Sequence, residues 1–252
     1  MPRAPETGPP QIFDRAAYRA RRARAGRKQG DIFLADAAAA HIAERLAAMK
    51  RVFERALDLG SRAPGPYVVQ AKHWTGPGIV DEEALPFVPA SFDLVVSVLS
   101  LHAVNDLPGA LVQIRRVLKP DGLFMAALFG GETLNELRTA FAAAEADIAS
   151  GASPRVAPFA DVRDVGALLQ RAGFTSPVSD VERTIVRYQS LDTLFSDLRA
   201  LGETNVLSGR RVSTLSRKLL TALSTEYASR FTDADGKLRA TFDIVYLTGY
   251  AP

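Results

Sequence analysis

The chain has 252 residues, with 31 Lys+Arg against 28 Asp+Glu, three His, one Trp and no Cys. At 47% hydrophobic and 23% charged it is neither a disordered tail nor a fibre, and its length suits one large domain that buries about 70–75% of its extended surface. Without cysteine there is no disulfide framework, thiolate zinc site or thiol nucleophile, which points to a reducing compartment and away from secretion.

The charge is unevenly spread. Residues 11–30 carry seven basic side chains, Arg15 to Lys28, against Asp14 alone. The interleaved aromatics and fold motifs of nucleic-acid binders are missing, so no nucleic-acid partner is expected. No apolar run approaches the ~20 residues of a membrane span. Met1 to Pro10 is proline-rich, carries Glu6 and lacks an apolar core, so no secretory signal is expected there.

In chain order, residues 12–25 read as a short basic helix. Residues 34–50 read as a second helix, with Leu34, Ala38, Ile42 and Leu46 at helical spacing. Arg55 to Gly60 is a short apolar run entering a glycine turn, and residues 78–80, 92–100 and 122–129 read as further buried strands. Pro108 to Leu118 is an amphipathic helix, started by Pro108 and stopped by Pro120-Asp-Gly122. Helices are predicted over 132–148 and 161–172, strands over 178–188 and 241–250, and helical connections over 191–201 and 212–227. Strands alternating with helices of this length predict βαβ units and a parallel sheet, an α/β fold. The first 50 residues are expected to form a basic helical cap on a domain spanning 51–252.

Leu57-Asp-Leu-Gly60 falls at the carboxyl edge of that sheet, where open α/β sheets bind ligands. The fingerprint G-x-G-x-x-G is absent, the turn reading Gly60-Ser-Arg-Ala-Pro-Gly65. Together with Asp81-Glu-Glu-Ala-Leu-Pro-Phe87, Phe92-Asp-Leu-Val-Val-Ser97 and Leu118-Lys-Pro-Asp-Gly122, it resembles the class I S-adenosylmethionine-dependent methyltransferases. Ile12-Phe-Asp-Arg15, the run from Ser97 to Pro108, Phe129-Gly-Gly-Glu-Thr-Leu134, Ser153 to Phe159, Arg171-Ala-Gly-Phe174 and Leu201-Gly-Glu-Thr-Asn205 resemble, as a set, the mitochondrial complex I assembly factor 5 family and its bacterial relatives. The malonyl-carrier-protein O-methyltransferase of biotin synthesis is a cousin.

The resemblance implies a mostly parallel sheet flanked by helices, with an antiparallel last strand. It implies S-adenosylmethionine as cofactor and a protein or carrier-borne substrate, in complex I assembly; the human family member is understood to hydroxylate an arginine. Asp58, Gly60 and Ser61 would lie at the amino-acid end of the cofactor, Asp81 and Glu82 near its adenosine, and Ser97 and Leu99 at the strand end facing the methyl group. His102, just past that strand, is the candidate base; its alternative role is to pack against Val104 or cap the loop. No metal site is expected, since His41, His73 and His102 lack metal-ligand spacing.

The chain departs from the family between Gly60 and Asp81. Tyr67 to Lys72 reads as the second strand, with Lys72 where the ribose-binding acid belongs. Both flanking crossovers are too short for full helices, and Pro64, Pro66 and Pro77 oppose helix. A fold truncated around the second strand is expected, with its ribose contact reversed in charge. Two functions therefore compete. One is S-adenosylmethionine-dependent modification of a protein or carrier. The other is a non-catalytic assembly or binding protein that kept the fold and lost the cofactor, its basic arm engaging an acidic partner.

Overall fold

The computed structural model describes residues 11–27, 32–62, 64–78, 80–148, 153–211 and 213–252. Its centre is a six-stranded sheet built from β1 (Phe53–Leu59), β2 (Ala71–Gly78), β3 (Phe92–Val98), β4 (Leu118–Phe129), β5 (Thr175–Tyr188) and β6 (Leu238–Tyr250). The order is β2-β1-β3-β4-β6-β5. The first four strands pair in parallel, and β6 runs antiparallel to both β4 and β5. This is the expected α/β architecture with an antiparallel last strand.

The central strands β3, β4 and β6 read as near-continuous apolar runs because helices cover both faces. Alternation still decides which face each residue serves. Leu94, Val96 and Val98 of β3 and Leu123, Met125 and Ala127 of β4 join a core with the helices α2 (Phe33–Ala48), α4 (Asn135–Ile148), α6 (Leu191–Leu201) and α7 (Arg217–Phe231). Val95, Phe124 and Ala126 point the other way, against α3 (Leu107–Val117) and α5 (Val162–Arg171). Pro108 sits in the first turn of α3, where its missing N–H costs nothing, and Asp106 caps that helix by accepting from the Gly109 N–H.

The remaining helix, α1 (Arg15–Arg27), is pinned over the carboxyl edge of the sheet. Asp14 caps it, accepting from the Ala17 N–H at 2.9 Å. Phe13 bridges to Leu207, and its N–H donates to Asn105 Oδ1. Of the basic arm expected to engage an acidic partner, Arg15, Arg19 and Arg22 each pair with acids of this chain, while Arg24 and Arg27 are exposed. Lys28 lies outside the described residues.

The expected second strand is corrected. Pro66–Gln70 is a single short 3₁₀ turn, with Pro66 in its first positions and Tyr67 fully buried, and the strand begins only at Ala71. Register pairs Phe53 with Ala71 and Leu59 with Gly78, so the carboxyl end of β2 is Gly78. Lys72 lies near the other end, its Nζ 2.6 Å from Glu54 Oε1 with both side chains exposed. It therefore does not occupy the ribose position, and an exposed pair of this kind contributes little. Lys72→Ala is expected to change stability by less than about 0.5 kcal/mol in urea unfolding and to leave any cofactor affinity unchanged. The strand expected over 78–80 does not form beyond Gly78: Val80 is outside any strand, and Ile79 lies outside the described residues. The short crossovers explain this, since residues 60–70 have room for a 3₁₀ turn but not for a helix packed on the sheet.

Candidate functional site

Two neighbouring places at the carboxyl edge of the sheet hold the predicted site residues. The first lies over the ends of β1 and β3. Asp58, buried at the end of β1, accepts from the Tyr67 hydroxyl at 2.8 Å and from the Ser61 N–H at 3.3 Å. Burial pushes its carboxyl above the ordinary 3.8, and the hydrogen bonds from Ser61 and Tyr67 only partly offset this. An acid whose native pKa is raised opposes folding when ionised, so this component of stability grows as pH falls through the native value toward 3.8 and is lost as pH rises. Asp58→Asn retains an acceptor for Ser61 and can still partner the Tyr67 hydroxyl. Its stability at pH 7 is expected to stay within about 1 kcal/mol of the parent or rise above it, with the acid-side gain flattened, as read by unfolding across pH 3.5–7.

Gly60 turns the chain with φ +79°, and a Cβ there would overlap Ser100 Oγ and Glu82 Oε1. Ser97, fully buried, is linked to Ser100 by a hydroxyl pair at 2.9 Å, and Ser100 Oγ donates to the Leu59 carbonyl at 3.2 Å. Ser97 thus supports Ser100, which ties the end of β3 to β1. Leu99 adopts left-handed backbone, φ +48°, a conformation that costs a side-chain-bearing residue on the order of 1 kcal/mol or more.

What the sequence reading missed here is Arg22. Its guanidinium donates to the Gly60 carbonyl and to the Leu99 carbonyl, each at 2.6 Å, to the Tyr18 hydroxyl at 2.9 Å and to Glu203 Oε1 at 3.2 Å. It thus lies across the turn where the amino-acid end of the cofactor was expected. Asp81 and Glu82, expected near the adenosine, are also occupied. Arg15 pairs with Glu82 and reaches Asp81 Oδ1 at 3.3 Å, and Arg19 reaches Asp81 Oδ2 at 2.6 Å. The space left among Arg22, Ser61, Arg62, Tyr67, Leu99 and Glu203 is about 30 Å³, the share of one water molecule. A small-molecule site is usually roughly 300 Å³ or more, so this space by itself is far smaller than such a site.

The second place is an open cleft of about 370 Å³ beside the end of β4. His102 stands in its wall, on a short 3₁₀ turn after β3 and buried among Tyr18, Phe129 and Phe159. Its Nε2 lies 2.9 Å from Glu203 Oε2, and its Nδ1 is buried without a hydrogen-bond partner among the described residues. Glu203 is delivered by the end of α6, where Gly202 takes the left-handed conformation, φ +82°, and closes the helix. Burial opposes the charge of Glu203, but His102 and Arg22 outweigh it and hold the carboxyl below its ordinary 4.5. The segment Leu201 to Asn205 was singled out as a motif; its acid was not, because Glu203 and His102 are a hundred positions apart. Trp74 packs on Tyr67 and donates to the Val68 carbonyl, away from this cleft.

Comparison with known proteins places this geometry. A methyltransferase domain model matches residues 69–126. The mouse mitochondrial arginine-hydroxylase NDUFAF5 is 46% identical over 172 residues, covering 68% of this chain and 50% of that protein. The malonyl-[acyl-carrier protein] O-methyltransferase of Xylella fastidiosa is 34% identical over 211 residues, covering 81% of this chain and 69% of that protein. The chain spans about half the length of the NDUFAF5 proteins it matches. Among solved structures, the YcgJ protein of Bacillus subtilis superposes with a TM-score of 0.51 at 14% identity, covering 83% of this chain and 98% of that one, a likeness of fold alone. No helix among the described residues is long and apolar enough to cross a membrane. By its identity to these relatives and its sheet order, the chain belongs to the class I methyltransferase-like family that includes the NDUFAF5 proteins and the malonyl-[acyl-carrier protein] O-methyltransferases.

Proposed function

We propose that this chain is a family member that has given up the cofactor and works as a binding or assembly protein, holding a protein- or carrier-borne group in the cleft beside His102. The single observation behind this reading is the Arg22 guanidinium lying across the Gly60 turn, which leaves about 30 Å³. The companion acids Asp81 and Glu82 are spent on Arg15 and Arg19. In this reading the partner belongs to respiratory complex I assembly or to a carrier pathway, in the mitochondrial matrix or the bacterial cytoplasm.

Titration calorimetry of the full chain with S-adenosylmethionine tests it. No saturable heat is expected up to about 1 mM, and binding tighter than about 100 μM would overturn the reading. The second reading is enzymatic modification of the same partner group. It is favoured by the pairing of His102 with Glu203 beside an open cleft, an arrangement in which an acid orients an imidazole base. Saturable binding of S-adenosylmethionine in the same titration would favour this second reading in its methyl-transfer form.

A further inference from the structure

The cleft has a chemical character of its own. Its apolar lining includes Phe129, Leu134, Leu137, Phe141, Phe159 and Phe242. Five arginines also line it, Arg21, Arg155, Arg199, Arg210 and Arg211, against one acid, Glu203. Glu203 is already engaged by Arg22 and His102. Arg155 is held by Glu145 at 2.6 Å, and Arg210 by Asp14 at 2.8 Å.

Two of the arginines have no carboxylate partner among the described residues. Arg21 donates to Thr204 Oγ1 and to the Asn205 carbonyl, both neutral. The Arg199 guanidinium lies 6.0 Å from the Phe195 ring centroid. Desolvation and the charge of Arg210 both weigh against the Arg21 cation and hold its pKa below the ordinary value, so an anion placed beside it would be welcome. The guanidinium fork is suited to a planar carboxylate, and an apolar lining favours a hydrocarbon body over a polar one.

We infer that this cleft is a binding site for an anionic amphiphile: a carboxylate carried on a hydrocarbon chain of about a dozen carbons, the scale that suits a cavity near the lower limit for small ligands. The carboxylate lies against Arg199 and Arg21, and the chain lies on the phenylalanine lining. A cation of the same chain length meets like charge in the cleft and is excluded. This deepens the cofactor-free reading by naming the kind of group the cleft holds. The two fail separately, because S-adenosylmethionine titration tests one and carboxylate titration tests the other.

The experiment is titration calorimetry of the full chain with dodecanoate, below its micelle concentration, beside butyrate and dodecyltrimethylammonium. Dodecanoate is expected to bind with a Kd below about 100 μM, and butyrate, which cannot cover the apolar lining, at least about tenfold more weakly. Dodecyltrimethylammonium is expected not to bind. Arg199→Glu should weaken dodecanoate at least about tenfold, while Arg199→Lys keeps it within about threefold. Arg199 is exposed, so both variants should fold, and circular dichroism checks that they do. The inference is overturned if dodecanoate does not bind, if the cationic amphiphile binds as tightly, or if Arg199→Glu leaves the affinity unchanged.

Discussion

Replacing Arg15 by alanine is expected to cost the fold about 3–5 kcal/mol, the range seen when one partner of a buried ion pair is removed. Arg15 and Glu82 are both buried, at 8% and 6% side-chain exposure, and Arg15 is the nearest cation to Glu82. Arg15 also donates to the Ala103 carbonyl at 2.9 Å and approaches Glu83 at 3.7 Å. Its loss leaves Glu82 as an unpaired charge beside Gly60 and removes the main attachment of α1 to the segment 81–83. Urea unfolding reads the loss as a lower midpoint. The double variant Arg15→Ala, Glu82→Gln should recover about half or more of it, because the penalty lies chiefly in the stranded carboxylate. If the double variant recovers nothing, Arg15 acts through packing over the Tyr18 ring, which its guanidinium overlies at 5.2 Å, and not through its charge.

The second large effect is at Arg22. Arg22→Ala is expected to lower stability by about 2–4 kcal/mol in the same measurement, since it removes four hydrogen bonds from one guanidinium and leaves Glu203 with His102 alone. Arg22→Lys should recover little, because a single ammonium cannot reach two strand-end carbonyls and a carboxylate with fork geometry. The vacated space is still expected not to take S-adenosylmethionine. Tyr67 remains on Asp58, Arg62 remains bonded to the Ala200 carbonyl, and residues 60–70 remain too short to rebuild the missing helix. Micromolar binding by Arg22→Ala would show instead that Arg22 alone closes an otherwise intact cofactor site.

Much of the fold was legible in the sequence because its signals are local. The apolar runs around Leu57, Val95 and Phe124 and the amphipathic spacing of Leu111 and Ile114 each gave the right kind of element. The helix at 191–201 was placed with its observed bounds. The segment 60–80 was misread for an equally physical reason. Tyr67 to Lys72 has the composition of a strand, but Tyr67 buries its ring and bonds Asp58, and Pro66 favours the turn it opens. A tertiary contact outweighed β propensity there.

The candidate site was legible only by address. Asp58, Gly60, Ser61, Asp81, Glu82, Leu99 and His102 do gather at the carboxyl edge, whereas Ser97 is fully buried against Ser100 and Lys72 lies at the far end of its strand. Nothing local announced that Arg15 and Arg22, within a run of look-alike arginines, would turn inward while Arg24 and Arg27 stay exposed. Which arginine meets an acid depends on helix phase against a surface assembled from segments 38 to 181 residues away.

The amino-acid sequence by itself determined the α/β class, the family and the shortfall between Gly60 and Asp81, because periodicity, motifs and chain length are properties of neighbours along the chain. Only the tertiary structure decided what became of that shortfall. Charge pairing and burial depend on distance in space, and they set Arg22 across the Gly60 turn and Tyr67 on Asp58 while a neighbouring arginine-lined cleft stays open.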